Sequence, residues 1–255
     1  MSTIKELYAY RQMIISLVKK DLRGRYKGSV LGFMWTFINP LFQLIVYTIV
    51  FEHILDATVD KYYLYLFVAL IPWIFFSSAI TTGAASVLAQ KELVKKIYFP
   101  RMVIPISYVT SCFVNMLLSF IVVFAVIIVT GTGFNFLALL TLPVIMIVEY
   151  IFALGMSLLT SAVTVYFRDL EHILSIVAMA WMYMTPIVYT VPPQYEKYFR
   201  LNPMTHIIEC YRTVLYNKQV PDLSTLLLAA GLGVFFLIFG AMVFNKLQRH
   251  FAEEL

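Results

Sequence analysis

The run MVIPISYVTSCFVNMLLSFIVVFAVIIVT, residues 102–130, contains no charged side chain. A helix of about 20 apolar residues is long enough to cross the ~30 Å hydrocarbon core of a membrane. None of the chain's apolar runs shows the alternation that barrel strands of about 10 residues require. The sequence therefore predicts six transmembrane helices, at residues 30–51, 62–81, 102–130, 136–165, 173–191 and 223–244.

The composition of the whole chain agrees with this prediction. Of 255 residues, 61% are hydrophobic and 13% are charged, whereas soluble domains average about 45–50% apolar and about 25% charged residues. One all-α integral membrane domain over residues 30–244 uses most of the chain. Residues 245–255 remain as a short tail.

The segment before the first span, residues 1–29, has apolar residues at roughly helical spacing and lysines and arginines on other faces. This pattern predicts an amphipathic helix that lies along the membrane interface. A soluble helix packed on a neighbouring protein would have the same periodicity, so both interpretations stay open.

The distribution of lysine and arginine predicts the orientation. With six spans both termini share one side, which holds fourteen of the 19 cationic residues. The positive-inside rule places that side in the cytoplasm. The net charge of +5 is explained by this topology, and no nucleic-acid partner is needed to account for it.

No catalytic or metal-binding pattern is present in the sequence. It contains neither a Walker A phosphate loop nor an HExxH motif nor a nucleophile elbow, and its four histidines are scattered rather than spaced as metal ligands. Cys112 and Cys210 belong to a span and to a distant loop, so we expect no disulfide. We therefore predict a non-catalytic chain without its own cofactor.

Glu149 lies near the middle of the fourth predicted span, where an acidic side chain costs several kcal/mol, about 2.5–3.5 for Asp on insertion scales, and is a functional candidate by default. No lysine or arginine inside a span offers a partner. Two interpretations remain open, a role in proton coupling and a hydrogen bond to a neighbouring helix or at a dimer seam.

Three motifs, RYKGSVLGFMWTFINP at 25–40, KKIYFPRMVIP at 95–105 and VYFRDL at 165–170, in this order with six spans, resemble the membrane subunit of ABC-2 type polysaccharide exporters. The resemblance covers nearly the whole chain. It implies six transmembrane helices behind an interface helix, in a homodimer that works with two separate ATPase subunits. Those subunits would bind Mg-ATP, which agrees with the missing Walker A loop. It also implies export of lipid-linked polysaccharide, such as O-antigen or teichoic acid, across the bacterial inner membrane.

In such exporters, short cytoplasmic helices between spans fit into clefts on the ATPase. The matching segment here is QKELVKKIYFPR, residues 90–101, whose apolar residues would form a one-turn ridge and whose lysines would meet acidic partner residues. Pro100 would end this helix. Anchoring of a loop inside the cell would need the same charges, so that alternative stays open. The residues assigned to ATPase coupling are Lys91, Glu92, Leu93, Val94, Lys95, Lys96 and Ile97, with a second contact at Arg168 and Asp169.

Aromatic and basic side chains are the candidates for substrate contact. Sugar rings pack on aromatic faces, so Phe33, Trp35, Trp181 and Tyr183 are predicted to line a channel, although aromatic residues also collect at membrane interfaces. Guanidinium groups hold a diphosphate by charge-assisted hydrogen bonds. Arg23, Arg25 and Lys27, before the first span, are therefore candidates for binding a lipid diphosphate or, alternatively, anionic membrane lipid.

The loop at residues 192–222 is long for a bare connection. Apolar residues at helical spacing follow the Asn202-Pro203 turn and predict an amphipathic helix. The resemblance implies that this loop is an extracellular gate. Two other function classes remain, an ABC-2 permease for drugs or small lipids and a membrane glycosyl- or phospho-transferase.

Overall fold

A computed structural model describes residues 3–26, 28–54 and 59–254. Within these ranges the regular elements are all helical, as the hydropathy pattern predicts. The α-helices are α1 Thr3–Ala9, α2 Arg11–Tyr26, α3 Trp35–Thr48, α4 Tyr62–Ala84, α5 Ser86–Ala89, α6 Lys91–Lys96, α7 Val103–Val129, α8 Phe136–Leu139, α9 Leu142–Tyr166, α10 Leu170–Tyr183, α11 Glu196–Phe199, α12 Pro203–Leu215, α13 Leu223–Leu247 and α14 Phe251–Glu254.

Five helical segments in the described chain are long and apolar enough to cross a membrane: Gly32–Glu52, Tyr62–Ala84, Val103–Val129, Phe136–Tyr166 and Leu223–His250. The first joins a 3-10 turn, α3 and a π-helical turn at Ile49–Ile54. The prediction of an all-α membrane fold is confirmed. Whether α1 and α2 lie along the membrane interface remains a prediction.

The helix expected over residues 173–191 is shorter than predicted. It is α10, which ends at Tyr183 after 14 residues. Thr185 precedes Pro186, and a residue before proline is disfavoured in the helical conformation. Residues 185–188 are nevertheless buried. Apolar sequence here signalled burial rather than helix.

The bundle is centred on α4, which buries most of its residues on all sides. Its ring packing is dense: Phe76 stacks on Phe152 of α9 with centroids 5.0 Å apart and meets Trp181 of α10 edge-on at 5.1 Å. Aromatic pairs of this kind contribute about 0.5–1.5 kcal/mol beyond burial of their area. In contrast, α3 and α10 bury only a few residues each.

The closest helix pair is α9 with α13. A Cβ atom added to Gly240 would collide with the carbonyl oxygen of Gly155, and one added to Gly155 would collide with the backbone of α13 at Phe236. The two backbones therefore touch without side chains between them. On α13 the buried residues are Ala229, Gly233, Gly240 and Phe244, and most other positions are exposed.

Hydrogen bonds group the loops and chain ends on two opposite faces. On what we call the terminal face, Arg101 donates to the carbonyl of Gln248 and Tyr10 donates to Tyr98 at 3.5 Å. The terminal face thus holds α1, α6 and α14.

On what we call the distal face, Tyr216 donates to the carbonyl of Asp60 at 2.6 Å, and Asn135 donates to that of Lys218 at 2.9 Å. Both described ends of the chain lie on the terminal face. The described chain therefore passes between the terminal and distal faces an even number of times, and α10 with the stretch after it makes one of these passages.

Candidate functional site

A cavity of about 280 Å³ lies between α3, α4 and α7, within the apolar bundle. Six amide or hydroxyl side chains line it: Thr36, Asn39, Gln43, Ser78, Asn115 and Ser119. Trp35 and Arg25 also line its wall. We call it the α3 cavity. A polar-lined cavity among apolar helices is a feature of ligand sites, in which a few polar groups fix orientation.

Arg25 is held in place by a polar cluster that joins α2 to α7. Its Nε donates to the Asp21 carboxylate at 2.8 Å, and its Nη2 donates to the Cys112 sulfur at 3.2 Å. Ser111 donates to the same Asp21 oxygen, and the guanidinium lies 5.5 Å from the Tyr108 ring centroid. Both charged side chains remain about one-quarter exposed, so the cation is fixed but still accessible.

The other predicted diphosphate ligands are placed differently. Arg23 is exposed, and Lys27 lies outside the described residues. A second cavity of about 340 Å³, between α2, α5 and α7, also includes Arg25 and adds Lys20 and Ser86. Arg25 therefore lies between two cavities, and sequence spacing gave no signal for Lys20 or Ser86.

The four predicted channel aromatics do not form one cluster. Phe33 and Trp35 are exposed at the start of the α3 segment, whereas Trp181 and Tyr183 lie at the far end of α10. Tyr183 is exposed. Trp181 instead packs in the aromatic core and donates from Nε1 to the Asn202 side chain at 2.9 Å.

The coupling segment forms the short helix α6, but its apolar ridge differs from the prediction. Val94 is only 6% exposed because it packs with Phe99 and other residues in the chain's own core. Ile97 is 55% exposed and Tyr98 is 87% exposed. Val94 is therefore not available to a partner. The exposed apolar surface consists of Ile97 and Tyr98.

α6 also ends earlier than predicted. Ile97 is already extended, with φ −130° and ψ 136°, so the helix ends at Lys96, four residues before Pro100. The exposed pair Lys96 and Glu92, 3.0 Å apart, spans its one full turn. Arg168 and Asp169 are exposed in the turn between α9 and α10.

A groove of about 530 Å³ runs beside α6 on the terminal face. Its lining includes four cationic residues, Lys95, Lys96, Arg101 and Arg249, and one carboxylate, Glu6. We call it the basic groove. Sequence reasoning found the lysines but missed Tyr98 and Arg249, because only folding brings the end of α13 next to α6.

Glu149 of α9 is completely buried and accepts a hydrogen bond from the Tyr211 hydroxyl of α12 at 2.6 Å. Its other carboxylate oxygen has no partner in the described chain. Of the two interpretations left open by the sequence, the structure shows the hydrogen bond to a neighbouring helix.

Arg212, also on α12, was not identified as a site residue from the sequence. Its guanidinium donates to the backbone carbonyls of Pro186 and Ile187, the latter at 2.6 Å, and to that of Tyr65 at 3.3 Å. It lies 3.5 Å from the Tyr65 ring centroid. Burial lowers the pKa of Arg212 to about 10, which leaves it charged at neutral pH. One side chain thus ties α12 to α4 and to the non-helical stretch after α10.

Residues 12–216 match the family of ABC-2 type transporters, and the chain belongs to this family of multi-pass membrane proteins. It is 32% identical to an O-antigen export system permease protein RfbA of Myxococcus xanthus, over 99% of this chain and 98% of that protein. It is also 32% identical to an O-antigen export system permease protein RfbA of Klebsiella pneumoniae, over 95% of each chain. The polysialic acid transport protein KpsM of Escherichia coli is 22% identical over 81% of this chain.

Proposed function

We propose that this chain is the permease subunit of an ABC transporter that exports O-antigen or a related lipid-linked polysaccharide across the bacterial inner membrane. The observation that carries the proposal is end-to-end similarity at 32% identity to permeases of O-antigen export. Because the aligned region covers both faces of the bundle, it includes the coupling segment and the distal loop as well as the apolar helices.

The permease itself is non-catalytic, and the energy comes from a separate ATPase. The chain has no Walker A loop for nucleotide, so Mg-ATP would bind the partner. We propose that the basic groove receives acidic residues of that partner, with Ile97 and Tyr98 as its apolar contact. Two copies of the permease and two ATPase subunits would form the complex.

The terminal face is the proposed cytoplasmic face. It holds the basic groove, and its loops and ends carry the excess of lysine and arginine that the positive-inside rule predicts for the cytoplasm. Both termini then lie in the cytoplasm and residues 192–222 lie outside. The distal loop would close the path as an external gate.

Arg25 is the proposed contact for the lipid diphosphate on the cytoplasmic side. It keeps donors available beyond those used by Asp21 and Cys112, since a guanidinium carries five. Arg23 and Lys27, on the same stretch of sequence, would add charge around it. Exposed Phe33 and Trp35 follow directly in the chain, and we propose that they pack on the first sugars, with Tyr183 further along the path.

Deletion of the gene in its host, followed by complementation, tests the proposal. We expect loss of surface polysaccharide with accumulation of the lipid-linked glycan on the cytoplasmic side, and rescue by the wild-type chain. Rescue should fail when the partner ATPase carries an inactive Walker A lysine. Normal surface polysaccharide in the deletion strain, or a change only in drug sensitivity, would contradict the proposal in favour of another ABC-2 permease.

A further inference from the structure

Two polar side chains of the α3 cavity lack a hydrogen-bond partner among the described residues. Asn39 and Gln43 lie about one turn apart on α3, and both line the cavity. Both side chains are exposed, and neither amide forms a hydrogen bond with another residue that the structure describes. Their donors and acceptors are therefore free to bind a group that enters the cavity.

The α3 cavity lies at the middle of the bundle. Its lining takes residues 71–78 from α4 and residues 112–119 from α7, which are the central parts of these two spans. The hydrocarbon core of a membrane contains no water to hydrogen-bond an exposed polar group. Asn39 and Gln43 therefore need a polar partner that reaches the middle of the membrane.

Polar groups from three helices converge on this cavity. Besides the two amides of α3, the lining includes Ser78 of α4 and both Asn115 and Ser119 of α7. A helix of a second copy packed against α3 would cover the amides but would not reach the side chains between the three helices. The volume of about 280 Å³ is close to the lower limit for ligand pockets, about 300 Å³. The partner is therefore a single small polar group.

Amides, hydroxyls and an aromatic ring define the chemistry of that group. A side-chain amide has two donors and an accepting oxygen, so it pairs well with hydroxyl groups, which both donate and accept. The Trp35 ring also lines the cavity, and aromatic faces pack on the C–H faces of sugar rings. Arg25 is the one charged residue in the described lining, whereas Asp21 lines the neighbouring cavity. The lining therefore fits a hydroxylated ring attached to a phosphate, and it offers no carboxylate to a cationic head group.

The depth of the cavity identifies the source of such a ring. Head groups of bulk lipids stay at the two surfaces of the membrane, because moving a polar group into an apolar medium is unfavourable. A sugar at the level of Asn39 and Gln43 is therefore a sugar that the protein carries across the membrane. In the proposed function, the molecule that crosses is the lipid-linked polysaccharide.

We propose that the α3 cavity binds the first sugar of the lipid-linked polysaccharide while Arg25 holds the attached phosphate. Asn39 and Gln43 are the hydrogen-bonding contacts of this sugar, and Trp35 packs on its ring. The inference rests on the proposed function, and it adds a sugar-binding site within one copy of the chain, between α3, α4 and α7.

The test uses the complete permease and ATPase complex in phosphatidylcholine nanodiscs. The two probes are a polyprenyl diphosphate that carries one hexose and the same lipid without the sugar. Asn39→Leu and Gln43→Leu should each weaken binding of the sugar probe about fivefold, the effect of one hydrogen bond, and leave binding of the sugar-free probe unchanged. Arg25→Gln should weaken binding of both probes about tenfold, since hydrogen bonds between charged groups are stronger.

Phe42→Leu is the matched control. Phe42 is 59% exposed on the same helix, next to Gln43, and does not line the α3 cavity. This variant should bind both probes like the wild type. Equal binding of the sugar probe by the wild type and both amide variants, or an equal loss in Phe42→Leu, would overturn the site.

Thermal stability and subunit composition test whether the amides have a structural role instead. Because neither amide is bonded to another described residue, Asn39→Leu and Gln43→Leu should be at least as stable as the wild type and should keep the same subunits. Dissociation of the two permease copies in these variants, with unchanged binding of the sugar probe, would assign the amides to a contact between copies and overturn the sugar site.

Competition distinguishes the sugar from an ordinary lipid head group. Phosphatidylglycerol added to the nanodiscs should not displace the sugar probe. Displacement would place the glycerol head group in the cavity and overturn its assignment to the polysaccharide. Failure of the proposed function gives a different result, namely normal surface polysaccharide in the deletion strain although the purified complex still binds the sugar probe through Asn39 and Gln43.

Discussion

Two short helices between spans, α6 and α12, look alike in sequence and differ completely in the structure. α12, and α6 together with the following Ile97, have apolar residues three and four positions apart, with charged residues between them. α6 exposes most of its side chains and buries Val94, whereas α12 buries nearly all of its residues and exposes Glu209. Periodicity therefore identifies an amphipathic helix but does not say whether its apolar side belongs to the chain's own core or to a partner.

The difference follows from what each helix can bury. α6 has a single turn and places one apolar side chain in the core. α12 has 13 residues, and its Arg212 and Tyr211 hydrogen-bond to three other parts of the bundle. Changes on α12 should therefore affect folding, and changes on the exposed side of α6 should affect association.

The largest expected effect is a difference in thiol labelling between the terminal face and the distal face. With a membrane-impermeant thiol reagent on intact cells, Lys197→Cys on the distal side should be labelled and Lys95→Cys beside α6 should not. Cys112 and Cys210 are free and buried, so background labelling should be low. Strong labelling of Lys95→Cys, or of Arg249→Cys, would reverse the proposed orientation and with it the assignment of both helices.

The second effect is expected at Arg212. Arg212→Ala leaves the carbonyls of Pro186, Ile187 and Tyr65 without their donor, at roughly 1–3 kcal/mol for each unsatisfied buried group. We expect a large loss of thermal stability and little export. Arg212→Lys keeps the charge but loses the planar fork of donors. Its thermal stability should therefore lie between that of the wild type and that of Arg212→Ala. Wild-type stability of Arg212→Ala would mean that α12 is not fixed to the core.

A smaller and more selective effect is expected directly after α6, at Ile97 and Tyr98. Replacement of Ile97 and Tyr98 together with Ser removes the exposed apolar contact, about 1.5–3 kcal/mol per side chain if fully docked. Co-purification of the ATPase and export should fall while the thermal stability of the permease stays unchanged.

Val94→Ser is the matched comparison for the α6 variant. Because Val94 is in the core, this change should lower thermal stability instead. An unchanged complex and normal export in the Ile97 and Tyr98 variant would show that the segment only anchors the loop.

The smallest effect is expected at Glu149. Glu149→Gln retains an oxygen that can accept from Tyr211 and keeps the shape of the side chain, so thermal stability should change by about 1 kcal/mol or less and most export should remain. Glu149→Leu, which cannot accept, should cost more stability than Glu149→Gln. Loss of export in a stable, assembled Glu149→Gln transporter would instead support an ionisable role in coupling.

Local chemistry in the sequence was sufficient to predict where α12 begins. Asn202 caps it by accepting from the Met204 amide at 3.0 Å, directly before Pro203, and caps of this kind depend on neighbouring residues only. Long apolar runs likewise predicted the membrane helices, because burial in lipid requires length and composition alone.

Features that depend on distant residues could not be predicted in this way. The burial of Val94 depends on Phe99 and on other residues of the terminal-face core, and the anchoring of Arg212 depends on carbonyls that become available because α10 stops early. The α3 cavity joins Arg25 to Asn115, which lie ninety positions apart. No pattern within one segment carries such information.

The backbone contact between Gly155 and Gly240 fixes the register of α9 against α13. A slide of one turn would bring Phe236 or Phe244 opposite Gly155, where even a methyl group has no room. We therefore expect α9 and α13 to move together as one rigid unit. Motion that opens a passage for a bulky glycan is therefore expected in α3 and α10, which bury only three and two residues in the chain.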